Sequence, residues 1–284
     1  MSRSKRAGIA AETLEILQAG RYAPDPGIVV SLADELDRCI KGTKLFQPHE
    51  LDIVLADARL SGDPSPRATI EVVNETTLAG IAALTEAGHG SVAALNFASA
   101  KNPGGGFLGG SQAQEESLAR SSGLYHSLIK AWDFYEENRA RSSLLYSDAM
   151  ILSPDCPVFR NDDGALLSRT HLVSFISSAA PNAGALAQSD PSQLPLIPGV
   201  LRKRGRYVLA LAASRGYRSL VLGAWGCGVF RNDPGMVAET FRALLDEGWG
   251  CRFERIRFSV LDTSSGIRIF NAFRRLLGGG SGSV

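Results

Sequence analysis

The chain has 284 residues, and its 30 basic and 29 acidic side chains leave a formal charge of +1. That balance gives no charge excess to favour nucleic acid or a membrane surface, so no specific nucleic-acid partner is expected. No apolar run approaches the roughly 20 residues of a membrane helix, and Met1-Ser2-Arg3-Ser4-Lys5-Arg6 lacks a signal-peptide core, so a cytoplasmic protein is expected.

In chain order, Ile9, Leu14, Ile16 and Leu17 fall at helical spacing before Gly20, which predicts a helix over 9–19 with a glycine stop. Residues 27–32 read as a strand, 33–40 as a helix and 51–56 as a further apolar run. The cluster Gly62-Asp63-Pro64-Ser65-Pro66 then breaks the chain. Beyond it the pattern alternates: strand 69–73, helix 76–87, strand 91–98, and a helix over 114–130 with an interruption near Gly123. Strand 172–178, helix 200–215, strand 219–224, helix 234–247, strand 256–261 and helix 266–276 follow. The proline-rich stretch 181–198 reads as a loop. Alternation of this kind predicts an α/β sheet covered on both faces, with ligands beyond the carboxyl ends of its strands. The division expected is a mainly helical N-terminal extension over 1–65 packed on the core, a core over 66–276, and a flexible tail or linker scar over 277–284.

Cys39, Cys156, Cys227 and Cys251 show no CxxC spacing, and His49, His89, His126 and His171 show no HxxxH or HxH pattern. Neither a disulfide framework nor a metal site is expected.

Two strand-to-helix junctions carry the chemistry. In the first, Asn102-Pro103-Gly104-Gly105-Gly106 follows a strand and leads to Gln114-Glu115-Glu116 at a helix start. Glycines let backbone approach a bulky polar ligand, and the free N–H groups of a helix start attract an anion. A GxGxxG match at Gly104, Gly106 and Gly109 raises a dinucleotide turn, but no acidic residue ends a second strand about 20 residues later. A P-loop fails, because no Lys-Ser/Thr follows the glycines.

In the second, Gly226-Cys227-Gly228-Val229-Phe230 leads to a helix with Asn232 or Asp233 as cap and Pro234 at its first position. Two such loops on one sheet suit the two sides of a diphosphate, with Phe230 as a flat surface for ribose or base. The plainer reading is a pair of tight turns. Cys227 lacks the spacing of a nucleophile elbow and fits better as a small residue against the ligand. Glu115 and Glu116 are either helix-start acids favoured by the macrodipole or a pair in which one holds a sugar hydroxyl and the other moves a proton. Partial burial and like charge would raise a glutamate's pKa, against the dipole, as a general acid needs.

The triple glycine, seven residues and Gln114-Glu115-Glu116 together resemble the signature of the poly(ADP-ribose) glycohydrolases, a catalytic branch of the macrodomain fold. The flanking Leu95-Asn96-Phe97, Ala119-Arg120-Ser121-Ser122-Gly123, Ser153-Pro154-Asp155-Cys156-Pro157, Ala180-Pro181-Asn182 and the second glycine loop resemble the compact bacterial type, over residues 8–275. The resemblance implies a three-layer α/β/α macrodomain-like mixed sheet and hydrolysis of ribose–ribose O-glycosidic bonds without cofactor or metal. It implies Glu116 as general acid/base, Glu115 orienting the adjoining ribose, and Gln114 within the ligand site. Gly104, Gly105, Gly106 and Gly226, Cys227, Gly228 and Val229 would flank the diphosphate and distal ribose. Phe230 would position that ribose, and Asn102 and Asn96 would bind its hydroxyls. Expected ligands are poly(ADP-ribose) and ADP-ribose, and expected partners are poly(ADP-ribosyl)ated proteins, met by a monomer. The alternatives are a non-catalytic ADP-ribose-binding module and a mono-ADP-ribosyl hydrolase. The N-terminal segment would close one side of the cleft and favour chain ends.

Overall fold

A computed structural model describes residues 1–60 and 66–278. Most of the predicted break at 62–66, and the tail beyond Gly278, lie outside the described residues. Helix α1 (Arg3–Ala19) is capped by Ser2, whose hydroxyl accepts the Lys5 N–H, and ends at Gly20 with φ 63°, the predicted glycine stop. A two-stranded ribbon of β1 (Arg21–Tyr22) and β2 (Val30–Ser31) follows, so the strand expected over 27–32 shrinks to its last residues. Next come α2 (Ala33–Gly42), β3 (Lys44–Phe46) and α3 (Pro48–Leu60), the last containing the apolar run 51–56.

The core alternates as predicted: β4 (Thr69–Val73), α4 (Thr77–Glu86), β5 (Val92–Phe97), then the glycine loop and α5 (Gln114–Ser121). Helix α6 (Leu124–Lys130) continues it after the expected interruption at Gly123, and α7 (Asp133–Ala140) follows. Then come β6 (Met150–Arg160), β7 (Leu166–Ser178), α8 (Ala183–Ser189), α9 (Ile197–Ser214), β8 (Ser219–Leu222), α10 (Pro234–Asp246), β9 (Arg255–Ser259) and α11 (Arg268–Leu277).

Seven strands form one mixed sheet in the order β3-β6-β7-β5-β8-β9-β4. Strands β7, β5, β8, β9 and β4 run parallel, whereas β3 and β6 add an antiparallel edge. Every residue of β8 and the first five of β5 are buried, as in strands covered on both faces. One apolar cluster joins the sheet to α9 and α10 through Leu209, Phe241 and Phe258. Another joins the opposite face to α4, α5, α6 and α7 through Ile81, Leu118, Leu128 and Phe134. The result is the expected three-layer α/β/α arrangement. The N-terminal piece contributes β3 to the sheet, packs α3 on α9, and lays α1 beside the glycine loop.

Two further segments depart from expectation. Strand β6 is absent from the periodicity reading because Pro154 and Pro157 interrupt its pattern; its ladder shifts register between Ser153 and Cys156, where Asp155 has φ 44°. A bulge of this kind takes prolines into a strand. Residues 181–198 are not a loop throughout. Asn182 caps α8 by accepting the Ala185 N–H at 3.0 Å, a 3₁₀ turn spans Pro191–Leu196, and α9 begins at Ile197 with Pro198 in its first turn, where proline is tolerated.

Candidate active site

The two glycine loops leave the carboxyl ends of neighbouring strands β5 and β8, so they face one another across a cleft of about 560 Å³. That volume suits a nucleotide-sized ligand. Asn102, Gly105, Gly106 and Gln114–Glu116 line one side, and Gly226, Cys227, Gly228, Val229 and Phe230 the other.

At the first loop, Gly104 and Gly105 have φ 67° and 58°, the left-handed region that suits glycine. A side chain on Gly105 would collide with the Glu116 carboxylate, and one on Gly104 would press on Phe107 and Ala119. Gly104 is buried and shapes the loop from beneath, whereas Gly105 and Gly106 reach the cleft. The Gly106 N–H donates to Glu116 Oε1 at 3.1 Å. Glu116 is half-buried and borders open cleft space, with Asn102 exposed beside it on the same rim.

Glu115 occupies a different environment one residue away. It is only 2% exposed; its Oε2 accepts the Ser99 N–H at 2.8 Å and its Oε1 the Asn96 amide at 3.1 Å. Burial pushes its carboxyl up to about 8, the Glu116 charge adds to this, and the hydrogen bonds from Ser99, Asn96 and Gly104 oppose it. The rise expected of a carboxyl in this cleft therefore falls on Glu115.

Two residues expected to touch ligand have structural partners. Asn96 is fully buried behind Glu115 and donates to it and to Ser177 Oγ at 2.9 Å, so it supports the glutamate from beneath the cleft surface. Gln114 lines the cleft, but its amide accepts the Phe97 N–H at 2.9 Å and donates to Leu95 O at 2.8 Å and Thr77 Oγ1 at 3.1 Å. The side chain fastens the start of α5 to the end of β5.

At the second loop, Asp233 caps α10, accepting the Met236 N–H at 2.7 Å, which settles the choice between the two candidate caps. Asn232 instead donates to Pro181 O at 2.8 Å and Gly226 O at 3.1 Å, closing the loop on itself. Gly226 has φ 73°, and a side chain there would strike Ala180 and Asn232. Burial pushes the Cys227 thiol up to about 12, so it packs as a small neutral group. Val229 is 76% exposed at the rim.

Sequence reasoning missed the support under Phe230. Its ring lies 6.0 Å from that of Tyr146, a residue with φ 63°. Tyr146 is fixed by Arg204, a fully buried side chain on α9 that donates to Tyr146 O at 2.9 Å, Ala179 O at 2.8 Å and Asp148 Oδ1 at 2.7 Å. No local pattern links residues so far apart in the chain. The far end of the cleft, lined by Glu75, Phe97, Leu261 and Ile269, was also unassigned. Glu75 follows β4, and the position beyond a parallel strand was the available signal. Among the described residues no group of His, Cys, Asp and Glu is arranged to hold a metal ion.

Residues 10–161, which include the first glycine loop and both glutamates, match the family model of the microbial-type PARG catalytic domain. The chain belongs to the microbial-type poly(ADP-ribose) glycohydrolase family. The family model stops short of the second glycine loop, but similarity to solved structures extends over both. The poly(ADP-ribose) glycohydrolase from Thermomonospora curvata is 46% identical with a TM-score of 0.91, covering 96% of this chain and 100% of that one. The same enzyme bound to the inhibitor ADP-HPD gives 48% identity and a TM-score of 0.89, covering 96% and 99%. The Deinococcus radiodurans poly(ADP-ribose) glycohydrolase in complex with ADP-ribose gives 48% identity and a TM-score of 0.81, covering 88% and 97%. A comparison with curated proteins found no match.

Proposed function

We propose that this glycohydrolase cleaves the ribose–ribose O-glycosidic bonds of poly(ADP-ribose) and releases ADP-ribose, with Glu116 as general acid/base. The observation that carries the assignment is the placement of Glu116: a carboxylate anchored by the Gly106 N–H and open to the cleft. The ligands of its relatives, ADP-ribose and ADP-HPD, support the substrate class.

Diphosphate lies between the loops at Gly105–Gly106 and Gly226–Val229, and the distal ribose rests beside Glu116, with Phe230 against it. Adenine takes the opposite end, where Phe97, Leu261 and Ile269 offer apolar surface and Glu75 an acceptor. Glu116 in its carboxylic-acid form gives its proton to the departing 2′-oxygen, positive charge develops at the anomeric carbon, and the carboxylate so formed takes a proton from the attacking water. Glu115, neutral in its buried seat, orients a ribose hydroxyl. The scheme differs from the usual glycosidase pair, in which two carboxyl groups face one another across the bond.

The reading extends to poly(ADP-ribosyl)ated proteins as physiological partners and to a cytoplasmic monomer; four free cysteines support that compartment. The deciding experiment is Glu116→Gln. The variant is expected to bind ADP-ribose with near-normal affinity by calorimetry and to release no ADP-ribose from labelled polymer. Unchanged release would overturn the assignment.

A further inference from the structure

Four residues beyond Glu116, one turn along α5, lies a buried cation that the proposed chemistry leaves unused. Arg120 is 5% exposed, and it donates to Ser111 O at 2.7 Å, to the Gln112 amide oxygen and to Ser117 Oγ, none of them a carboxylate. Burial and Arg6 lower its pKa, and Glu116 raises it, so Arg120 lies within electrostatic reach of both.

Arg6 belongs to α1, which crosses the outer side of the glycine loop. Arg6 Nε donates to Gly110 O at 2.7 Å, Arg3 Nε donates to Gly109 O at 2.9 Å, and Thr13 Oγ1 donates to Arg120 O at 2.6 Å. Ala10, Phe107 and Ala119 fill the contact beneath. The first turn of α1 holds no acidic residue, and Arg3 is exposed. Leu108, in the 3₁₀ turn Phe107–Gly109 of the glycine loop, is 49% exposed. A line of cations therefore runs from beside Glu116 out over the loop, with apolar surface next to it.

Resting on the polymer-hydrolysis reading, we propose that Arg3 and Arg6, backed by Arg120, receive the diphosphate of the polymer unit that departs. In poly(ADP-ribose) the departing 2′-oxygen and that unit's own 5′-diphosphate hang from the same ribose. Once the released unit fills the cleft between the glycine loops, the remaining chain leaves past Glu116 and its first charges lie one ribose away. Beyond the loop, Arg3 and Arg6 of α1 present basic side chains bound to its carbonyls. Leu108 provides the surface against which the base of that unit rests. This gives the N-terminal helix a part in recognising polymer as distinct from ADP-ribose.

The test compares the double variant Arg3→Gln/Arg6→Gln, whose amides can still donate to the loop carbonyls, with Arg3→Lys/Arg6→Lys and with Lys5→Gln. Lys5 lies two residues from Arg3, about 200° around α1, and serves as the control for loss of one positive charge from the same helix. The glutamine pair is expected to raise KM for polymer about fivefold to tenfold while the calorimetric Kd for ADP-ribose stays put, and the lysine pair to restore most of the loss. Unchanged KM in the glutamine pair, an equal rise in Lys5→Gln, or a parallel loss of ADP-ribose affinity would each overturn the subsite. Should the glutamine pair misfold, the wild-type enzyme decides: KM for polymer must rise more steeply with salt than Kd for ADP-ribose, and equal slopes refute the proposal. Wild type that releases nothing from polymer would instead refute the underlying functional reading.

Discussion

Glu116 reaches its position because Gly105 has no side chain. The carboxylate lies over the α-carbon of that glycine, where a methyl group would overlap its Oε1. The loop and the Glu116 carboxylate are thus one packing unit, and the triple glycine places that side chain as well as shaping the cleft wall.

Gly105→Ala should therefore displace Glu116 and strain a residue at φ 58°. An expected loss in kcat of about 100-fold matches a displacement on the order of 1 Å. ADP-ribose titration and single-turnover release, measured on the same sample, separate lost chemistry from lost binding. A variant with normal turnover would refute the packing argument.

Glu115 makes stability depend on pH in a definite direction. Its folded-state pKa of about 8 stands above the ordinary glutamate value of 4.5, so the folded chain keeps a proton that the unfolded chain gives up. The contribution to stability is complete below about pH 4.5 and is lost as pH rises through about 8. Glu115→Gln should flatten this part of the profile in thermal melts. An identical slope in wild type and variant would mean that Glu115 ionises in the fold as it does in the unfolded chain.

Gln114→Ala distinguishes fastening from ligand contact. Removing the amide leaves the Phe97 N–H and Leu95 O without their partner, which costs about 1–3 kcal/mol. Urea denaturation should show the loss. ADP-ribose affinity in the folded fraction should change little, and a large drop there without destabilisation would mark Gln114 as a ligand residue.

Tyr146→Ala removes the ring packed beside Phe230 and leaves Arg204 with its backbone acceptors. Aromatic pairs contribute about 0.5–1.5 kcal/mol, so ADP-ribose should bind about threefold to tenfold more weakly. Calorimetry against wild type reads this directly. Equal affinities would show that Phe230 holds its place without Tyr146.

Much of this site was legible in local chemistry. Glycines followed by Gln114-Glu115-Glu116, and Asp233-Pro234 after the second loop, mark strand ends and helix starts because turns and caps are built from neighbouring residues. Asn96 shows the limit of that reasoning. Its position on β5 points towards the site, yet only the packing of α5 over the strand reveals that the amide meets Glu115 and stops beneath the cleft. Arg204 and Tyr146 were illegible for a related reason: a guanidinium reaching two distant carbonyls has no spacing to read. In β6, Pro154 and Pro157 concealed a strand whose bulge accommodates them.

Strand β3 complicates any attempt to widen the cleft by shortening the protein. Lys44, Leu45 and Phe46 cover the outer edge of β6 at Leu152, Ile151 and Met150. Deleting the first 60 residues would bare that apolar edge, whose free N–H and C=O groups are a template for another chain. Such a fragment is expected to self-associate, which size-exclusion chromatography would reveal. Cuts that end before α2 keep both β3 and the helix that leads into it, and these are the ones able to report on polymer-chain access.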